Sequence, residues 1–239
     1  PLAGQDERRS PGHGEWEVPV MVRVAEQPET KQEYAYNTLR SAILRCQLQP
    51  GQRLGIASIA SRLGVSPIPV REALWRLQAE GLVEHRPDVG VVVAPISLKS
   101  LEEALSMLEM LEVKALGGWL PPRPADRLGE LQEVVLRLAQ PAGLGDEEWW
   151  ELHRSYHARL LAATRMPTMV SVGLAMLDRL QRAGYWCPQL IAALRRGGLW
   201  EAYEALLRAL RRGDLEEAEV RLRRCHRRLY DACRTALGS

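Results

Sequence analysis

The sequence predicts a mainly α-helical protein, in which three helices and a β-hairpin precede an all-α bundle. Three observations predict it. Apolar residues recur at helical spacing through most of the chain after residue 30. One stretch, LVEHRPDVGVVVAP (82–95), breaks that rhythm with two β-prone runs around Arg86-Pro87-Asp88-Val89-Gly90. Clusters of glycine and proline then cut the remainder into helix-length segments.

The elements follow in chain order. Residues 1–28 mix charge, glycine and proline and read as an arm, although VPVMVRV within it is β-prone. TKQEYAYNTLRSAILRCQL (30–48) is an amphipathic helix with Leu39, Ile43 and Leu44 inward, ended by QPGQRL. IASIASRLG (56–64) is a short helix that turns Ile56, Ile59, Ala60 and Leu63 inward and closes at Gly64. In GVSPIPVREALWRLQAEGLV (64–83), Val70, Leu74 and Leu77 keep the i, i+4, i+7 spacing of a buried stripe, and Gly81 marks the stop. Pro67 and Pro69 fit the opening turn because the first helical N–H groups have no intrahelical acceptor to lose. Ser66 is the expected N-cap, its hydroxyl accepting the N–H of Ile68. Ile68, Arg71 and Trp75 lie away from the apolar stripe and face outward. Two short helices joined by a Gly-Val-Ser turn form a helix-turn-helix, and the hairpin after them makes it winged.

Past Pro95 the pattern is helical throughout. Segments are expected at about 100–119 (Ser100 and Glu103 as a capping box), 124–140, 146–164, 167–184 and 188–212, the last broken at Gly197-Gly198. Gly213 ends that run, and Asp214 caps a final helix with Glu217 placed to reciprocate. The domains are therefore an arm (1–28), a winged helix-turn-helix (29–96) and an all-helical domain (97–239).

Composition bounds the function without naming it. Thirty-two basic and 30 acidic side chains leave a net charge of +2, so nucleic-acid binding must rest on local placement of charge. No apolar run is long enough to span a membrane, and the opening residues lack a signal-peptide pattern. Four scattered cysteines form no disulfide framework, which suits a reducing cytoplasm.

AILRCQLQPGQRL, LGVSPIPVREALWRLQAEGLV and the Gly90 wing resemble the DNA-reading domain of GntR-family bacterial transcription regulators, over residues 30–95. The resemblance implies a recognition helix in the major groove and a wing tip on the adjacent backbone and minor groove. Arg71 matches the base-reading arginine of PVREAL, suited to a bidentate contact with guanine O6 and N7. Ser66 would hold a phosphate at the helix start, Ile68 and Trp75 share the outward face, and Arg86 and Gly90 belong to the wing. For Trp75 the alternatives are a phosphate contact and packing on the first helix, and packing is the expectation. The family often has arginine where this chain has Pro67, so one base-reading charge is missing.

LHRSYHARLLAAT and YEALLRALRRGDLEEAEVRLRRCH resemble the FCD subgroup of that family, whose C-terminal domain binds a small effector and dimerises. Many of its members hold a divalent metal on an Asp and three His. Here His157 falls on one metal histidine, but the Asp position is His153, the middle histidine is Tyr203 and the last is Cys225. The subgroup's arginine in the first bundle helix is replaced, with Glu109 nearby as a pocket residue.

Helical geometry tests which of these face inward. Trp149, His153, His157, Leu160 and Thr164 share one stripe, and Tyr203, Leu207 and Leu210 another. In the last helix Leu215, Ala218, Leu222, Cys225 and Leu229 form the apolar stripe, with His226 turned about 100° away. His153, His157, Tyr203 and Cys225 are therefore expected to converge, and His226 is not. Two readings follow. In one, His153, His157 and Cys225 hold a divalent metal such as zinc. In the other, which is favoured, the imidazoles are hydrogen-bonded walls of an organic effector's pocket and Cys225 is a small core hydrophobe.

A metal-dependent enzyme is the alternative class, but HRSYH lacks the glutamate of HExxH, and no GxSxG elbow or Walker loop is present. An effector-free architectural DNA-binding protein is disfavoured by the polar groups aimed into the bundle. The expectation is a cytoplasmic homodimer that binds double-stranded DNA at inverted half-sites under control of a small-molecule effector, as a repressor.

Overall fold

The computed structural model describes residues 30–119, 126–140, 143–196 and 198–238. The chain divides into two compact units, one of residues up to 42 with 47–93 and one of 43–46 with 94–239. The opening arm and its VPVMVRV stretch lie outside the described residues.

The first unit contains α1 (Lys31–Leu44), α2 (Ile56–Leu63), α3 (Pro67–Ala79), β1 (Val83–Arg86) and β2 (Gly90–Val93). Thr30 opens α1 reciprocally: its hydroxyl accepts the N–H of Glu33, and the Glu33 carboxylate accepts the N–H of Thr30, both at 3.1 Å. Gly64 closes α2 in the left-handed region at φ 66°, where glycine carries no steric penalty. Ser66 is the N-cap of α3 by its extended backbone, but its hydroxyl makes no capping hydrogen bond. N-cap side chains bond the second or third helical N–H; the third residue here is Pro69, which has none, and the Ser66 hydroxyl does not take the N–H of Ile68.

Pro69, Val70, Ala73, Leu74 and Leu77 form the buried face of α3. Its C-terminal end is tied to α1 by Glu80, which accepts the Tyr36 hydroxyl at 2.6 Å and the Arg40 Nε–H at 3.3 Å. The Arg76 guanidinium lies 3.6 Å from the centre of the Tyr36 ring, a cation–π contact on the same seam. The hairpin is antiparallel, with Val83 opposite Val93 and Arg86 opposite Gly90. Asp88 and Gly90 take positive φ in its turn. Leu54 donates to the Val91 carbonyl at 2.8 Å and Gly51 to that of Val93 at 2.9 Å, so the segment before α2 covers the edge of β2.

The second unit contains α4 (Leu98–Leu116), α5 (Asp126–Leu138), α6 (Asp146–Ala162), α7 (Pro167–Trp186), α8 (Pro188–Arg196), α9 (Leu199–Arg212) and α10 (Leu215–Leu237). α4 starts three residues earlier than expected. Ser97 is its N-cap and Ser100 the reciprocating partner, in place of Ser100 with Glu103. The run expected at 188–212 divides where the glycine pair was expected to break it, and Gly198 at φ 64° is the N-cap of the second helix. Asp214 accepts the N–H of Glu217 at 3.0 Å as expected, while the Glu217 carboxylate pairs with Arg221 instead of reciprocating.

α10 packs against α4, α8 and α9, α4 against α6, α7 and α10, and α6 against α4, α5 and α7. Trp119, Trp150, Tyr156 and Tyr203 are its largest fully buried side chains. α7 can lie on Trp150 only because residue 184 is glycine: a Cβ there would stand 2.1 Å from the indole Cζ2. All four cysteines are free, and no described helix is long and apolar enough to cross a membrane.

Candidate nucleic-acid interface and buried polar centre

Two groups of residues stand out, one on each unit. On α3 the buried stripe forces the opposite face outward. Ile68 is 64% exposed and Trp75 68%, and Arg71 between them is exposed as well. The three share one face at i, i+3 and i+7, and Ser66 is exposed at its start. Trp75 therefore does not pack on the first helix as expected. Ala73, Leu74 and Leu77 already fill the buried arc, and a residue one step from Leu74 is rotated about 100° out of it. An isoleucine and a tryptophan left in water around an arginine form the kind of patch that marks a contact surface. Arg86, at the end of β1, is exposed and paired with Glu84 at 2.6 Å, and Gly90 faces it across the hairpin at φ 95°.

The second group is a buried polar centre inside the helical unit. α6 contributes His153 and His157, each 1% exposed, one turn apart on its inner stripe. α9 contributes Tyr203, α4 contributes Glu112, and α10 contributes both Cys225 and His226. The His157 Nδ1 lies 2.5 Å from Glu112 Oε1, and its Nε2 lies 3.0 Å from the Tyr203 hydroxyl. That hydroxyl is also 3.0 Å from the Nε2 of His153, and the His226 Nε2 is 2.8 Å from Glu112 Oε2. One carboxylate thus joins two imidazoles, and one phenol joins two.

This arrangement corrects the sequence reading in two places. His226 belongs to the centre, although it lies outside the apolar stripe of α10. A helix packed against three neighbours buries a wide arc, so one step of about 100° from Cys225 remains inside. Glu109 does not belong. It sits toward the surface of α4 and pairs with Arg223 at 2.6 Å. The interior carboxylate is Glu112, one turn from Leu108 in the row Leu101, Leu105, Leu108, Glu112, Ala115. That row was its signal: a charged residue at a position where the helical period demands an apolar one.

Burial raises the carboxyl pKa of Glu112, but the charge and hydrogen bond of His157, with those of His226, outweigh it and hold that pKa at about 2. For His153, burial and then the neighbouring imidazoles push the pKa well below the ordinary histidine range. The unfolded chain therefore takes up protons that the folded one refuses. It does so below about 6.5 at His153, and again from about 4.5 down to about 2 at Glu112. Folded-state stability rises with pH wherever the unfolded state binds more protons, so both groups act in the same direction. The midpoint of thermal unfolding is expected to fall steadily as pH drops below about 6.5 and more steeply below about 4.5. Calorimetry across that range checks it, and a midpoint flat from neutral pH to pH 4 would contradict it.

As they stand, these residues do not fit a divalent metal. The Tyr203 oxygen fills the point on which the His153 and His157 Nε2 atoms converge. Burial raises its phenol well above the ordinary range, so it brings no charge. Cys225 is likewise held as a neutral thiol, by burial first and then by the Glu112 charge. Both Glu112 oxygens are engaged by imidazoles. Among the described residues, no three or more His, Cys, Asp or Glu side chains are grouped to hold a metal ion.

Beside this centre lies a cavity lined by Leu138, Trp149, Leu194, Arg195, Leu199, Trp200 and Tyr203, with about 420 Å³ of empty space including its open mouth. Tyr203 is common to both. Trp149 stacks on His153 with ring centres 5.0 Å apart, so a second cavity wall also touches the centre.

Comparisons with known proteins agree with this division. Residues 31–93 match the model of bacterial regulatory proteins of the gntR family, and residues 103–228 match the FCD domain. An uncharacterized HTH-type transcriptional regulator in an unstable DNA locus of Streptomyces ambofaciens is 30% identical over 158 residues, which are 65% of this chain and 66% of that protein. The HTH-type transcriptional regulator McbR of Escherichia coli is 29% identical over 134 residues, 56% of this chain and 61% of that one. The matches thus span just under two thirds of these relatives' lengths. The solved structure of E. coli McbR/YncC superposes with a TM-score of 0.68 at 25% identity, covering 86% of this chain and 98% of that one. That of a GntR regulator from Rhodococcus sp. RHA1 superposes with a TM-score of 0.70 at 21% identity, over 88% and 99%, which speaks to the fold.

Proposed function

Since the chain belongs to the gntR family of bacterial regulatory proteins and carries an FCD domain, we propose that it is a sequence-specific DNA-binding transcription regulator controlled by a small-molecule effector in its helical unit. The observation that carries this is the outward face of α3, where Ile68, Arg71 and Trp75 stand in solvent on a helix whose opposite face is fully buried. A helix of this kind fits the major groove. Arg71 then reaches guanine O6 and N7, and Ile68 and Trp75 supply apolar contact beside it. The N–H of Ile68, the one donor between Pro67 and Pro69, and the Ser66 hydroxyl, which makes no cap bond, meet a phosphate. Arg86 and Gly90 bring the wing to the neighbouring backbone.

The protein works in the cytoplasm as a homodimer on inverted half-sites, because a two-fold protein calls for two-fold DNA. It represses, and the effector enters the cavity beside Tyr203. To regulate, the effector must bind one arrangement of the two reading units better than the other. The relatives named above are transcriptional regulators, which disfavours an enzyme built on the bundle.

Selection of duplexes from a random pool by the purified protein tests the reading. It predicts enrichment of an inverted repeat, and enrichment of no sequence would overturn it. On the selected duplex, Arg86→Ala is expected to weaken binding evenly for operator and scrambled DNA. It should also reduce the slope of log affinity against log salt by about one contact's worth. Fluorescence anisotropy over a salt series measures both.

A further inference from the structure

We infer that the buried centre of the helical unit operates without a metal ion, Tyr203 standing where a metal would.

The geometry of the centre is that of a closed hydrogen-bond chain. A consistent set of proton positions satisfies it: His153 Nε2–H donates to the Tyr203 oxygen, Tyr203 O–H donates to His157 Nε2, and His157 Nδ1–H donates to Glu112. His226 Nε2–H supplies the second Glu112 oxygen. A metal ion bound by both His153 and His157 would need the position of the phenol oxygen. That oxygen is anchored, because the Tyr203 ring stacks on Tyr156 with centres 3.9 Å apart. The chain therefore supplies from within what a coordinated ion supplies elsewhere: a fixed polar node that joins α6 to α9.

The same ring forms a wall of the cavity, so whatever fills the cavity presses on the node directly. Apart from Tyr203 and Arg195 the walls are indole and leucine. Arg195 donates to the carbonyls of Leu144 and Gly145 at 3.1 Å and pairs with Asp146 at 3.2 Å.

Metal content of the whole chain tests the inference. Protein purified without chelator is expected to carry below about a tenth of a zinc, manganese or nickel ion per chain, with an unfolding midpoint that neither EDTA nor added zinc moves. A variant rebuilt with His153→Asp, Tyr203→His and Cys225→His is expected to take up about one zinc ion per chain and to gain a midpoint that EDTA reverses. About one ion per wild-type chain, with a midpoint that falls on chelation, would overturn the inference, whether or not the rebuilt variant folds. Duplex selection is run in parallel, so failure of DNA binding would count against the regulator reading and leave the metal result standing.

Discussion

Arg71→Ala is expected to cut affinity for the selected operator by roughly 5- to 150-fold, the range that corresponds to losing one bidentate base contact of ~1–3 kcal/mol. Binding to scrambled duplex should change far less. The asymmetry follows from what each contact reads. A phosphate contact is present on every duplex, so its loss weakens all of them, whereas a guanine contact exists only where guanine stands. Arg71 is exposed on α3 and lies on the face that also carries Ile68 and Trp75, away from the residues that hold the unit together. Its removal should therefore leave the unfolding midpoint unchanged, which separates a reading role from a structural one. Anisotropy titrations of operator and scrambled DNA, with calorimetry on the same samples, make the comparison. Equal losses on both duplexes would reassign Arg71 to the backbone.

Much of this was legible in the sequence, and what was not has definite physical causes. The proline-started helix, its buried stripe and the hairpin were readable because each has a local signal: capping position, helical period, and turn residues with positive φ. Ser66 misled in its detail: it takes the N-cap position, but its hydroxyl does not accept the Ile68 N–H, and Pro69 offers none. Trp75 misled for a broader reason. Aromatic residues are usually buried, and local pattern cannot say that an interface keeps one in water. In the bundle, the stripe argument found His153, His157, Tyr203 and Cys225 but treated α10 as if one face of it were buried. His226 shows that a helix packed against three others has no single inner line. Glu112 was passed over for Glu109 because the choice between two acids one turn apart was made without asking which of them kept the leucine period.

Glu112 also carries the second large effect. Glu112→Ala is expected to destabilise the protein by about 3–5 kcal/mol, the usual cost of removing one partner from a buried charged pair. For a helical unit of this size that is a fall of about 10 °C or more in its unfolding midpoint. Three consequences of one deletion add up. The His157 Nδ1 and the His226 Nε2 each lose their Glu112 partner in a fully buried site, and a cavity opens between α4 and α10. His226 fares worst, because its Nδ1 already has no partner among the described residues. Glu112→Gln keeps the volume and one acceptor oxygen, so it should fall between the alanine variant and the wild type. Its amide nitrogen would face a second imidazole donor, which must change tautomer to accept. The discriminating variant removes the polar pair together. Glu112→Leu with His226→Leu leaves one imidazole without its carboxylate instead of two, and should recover part of what Glu112→Ala loses. If the alanine variant unfolds within about 1 kcal/mol of the wild type, the carboxylate is not what holds the imidazoles, and the hydrogen-bond chain from α4 to α9 loses its anchor.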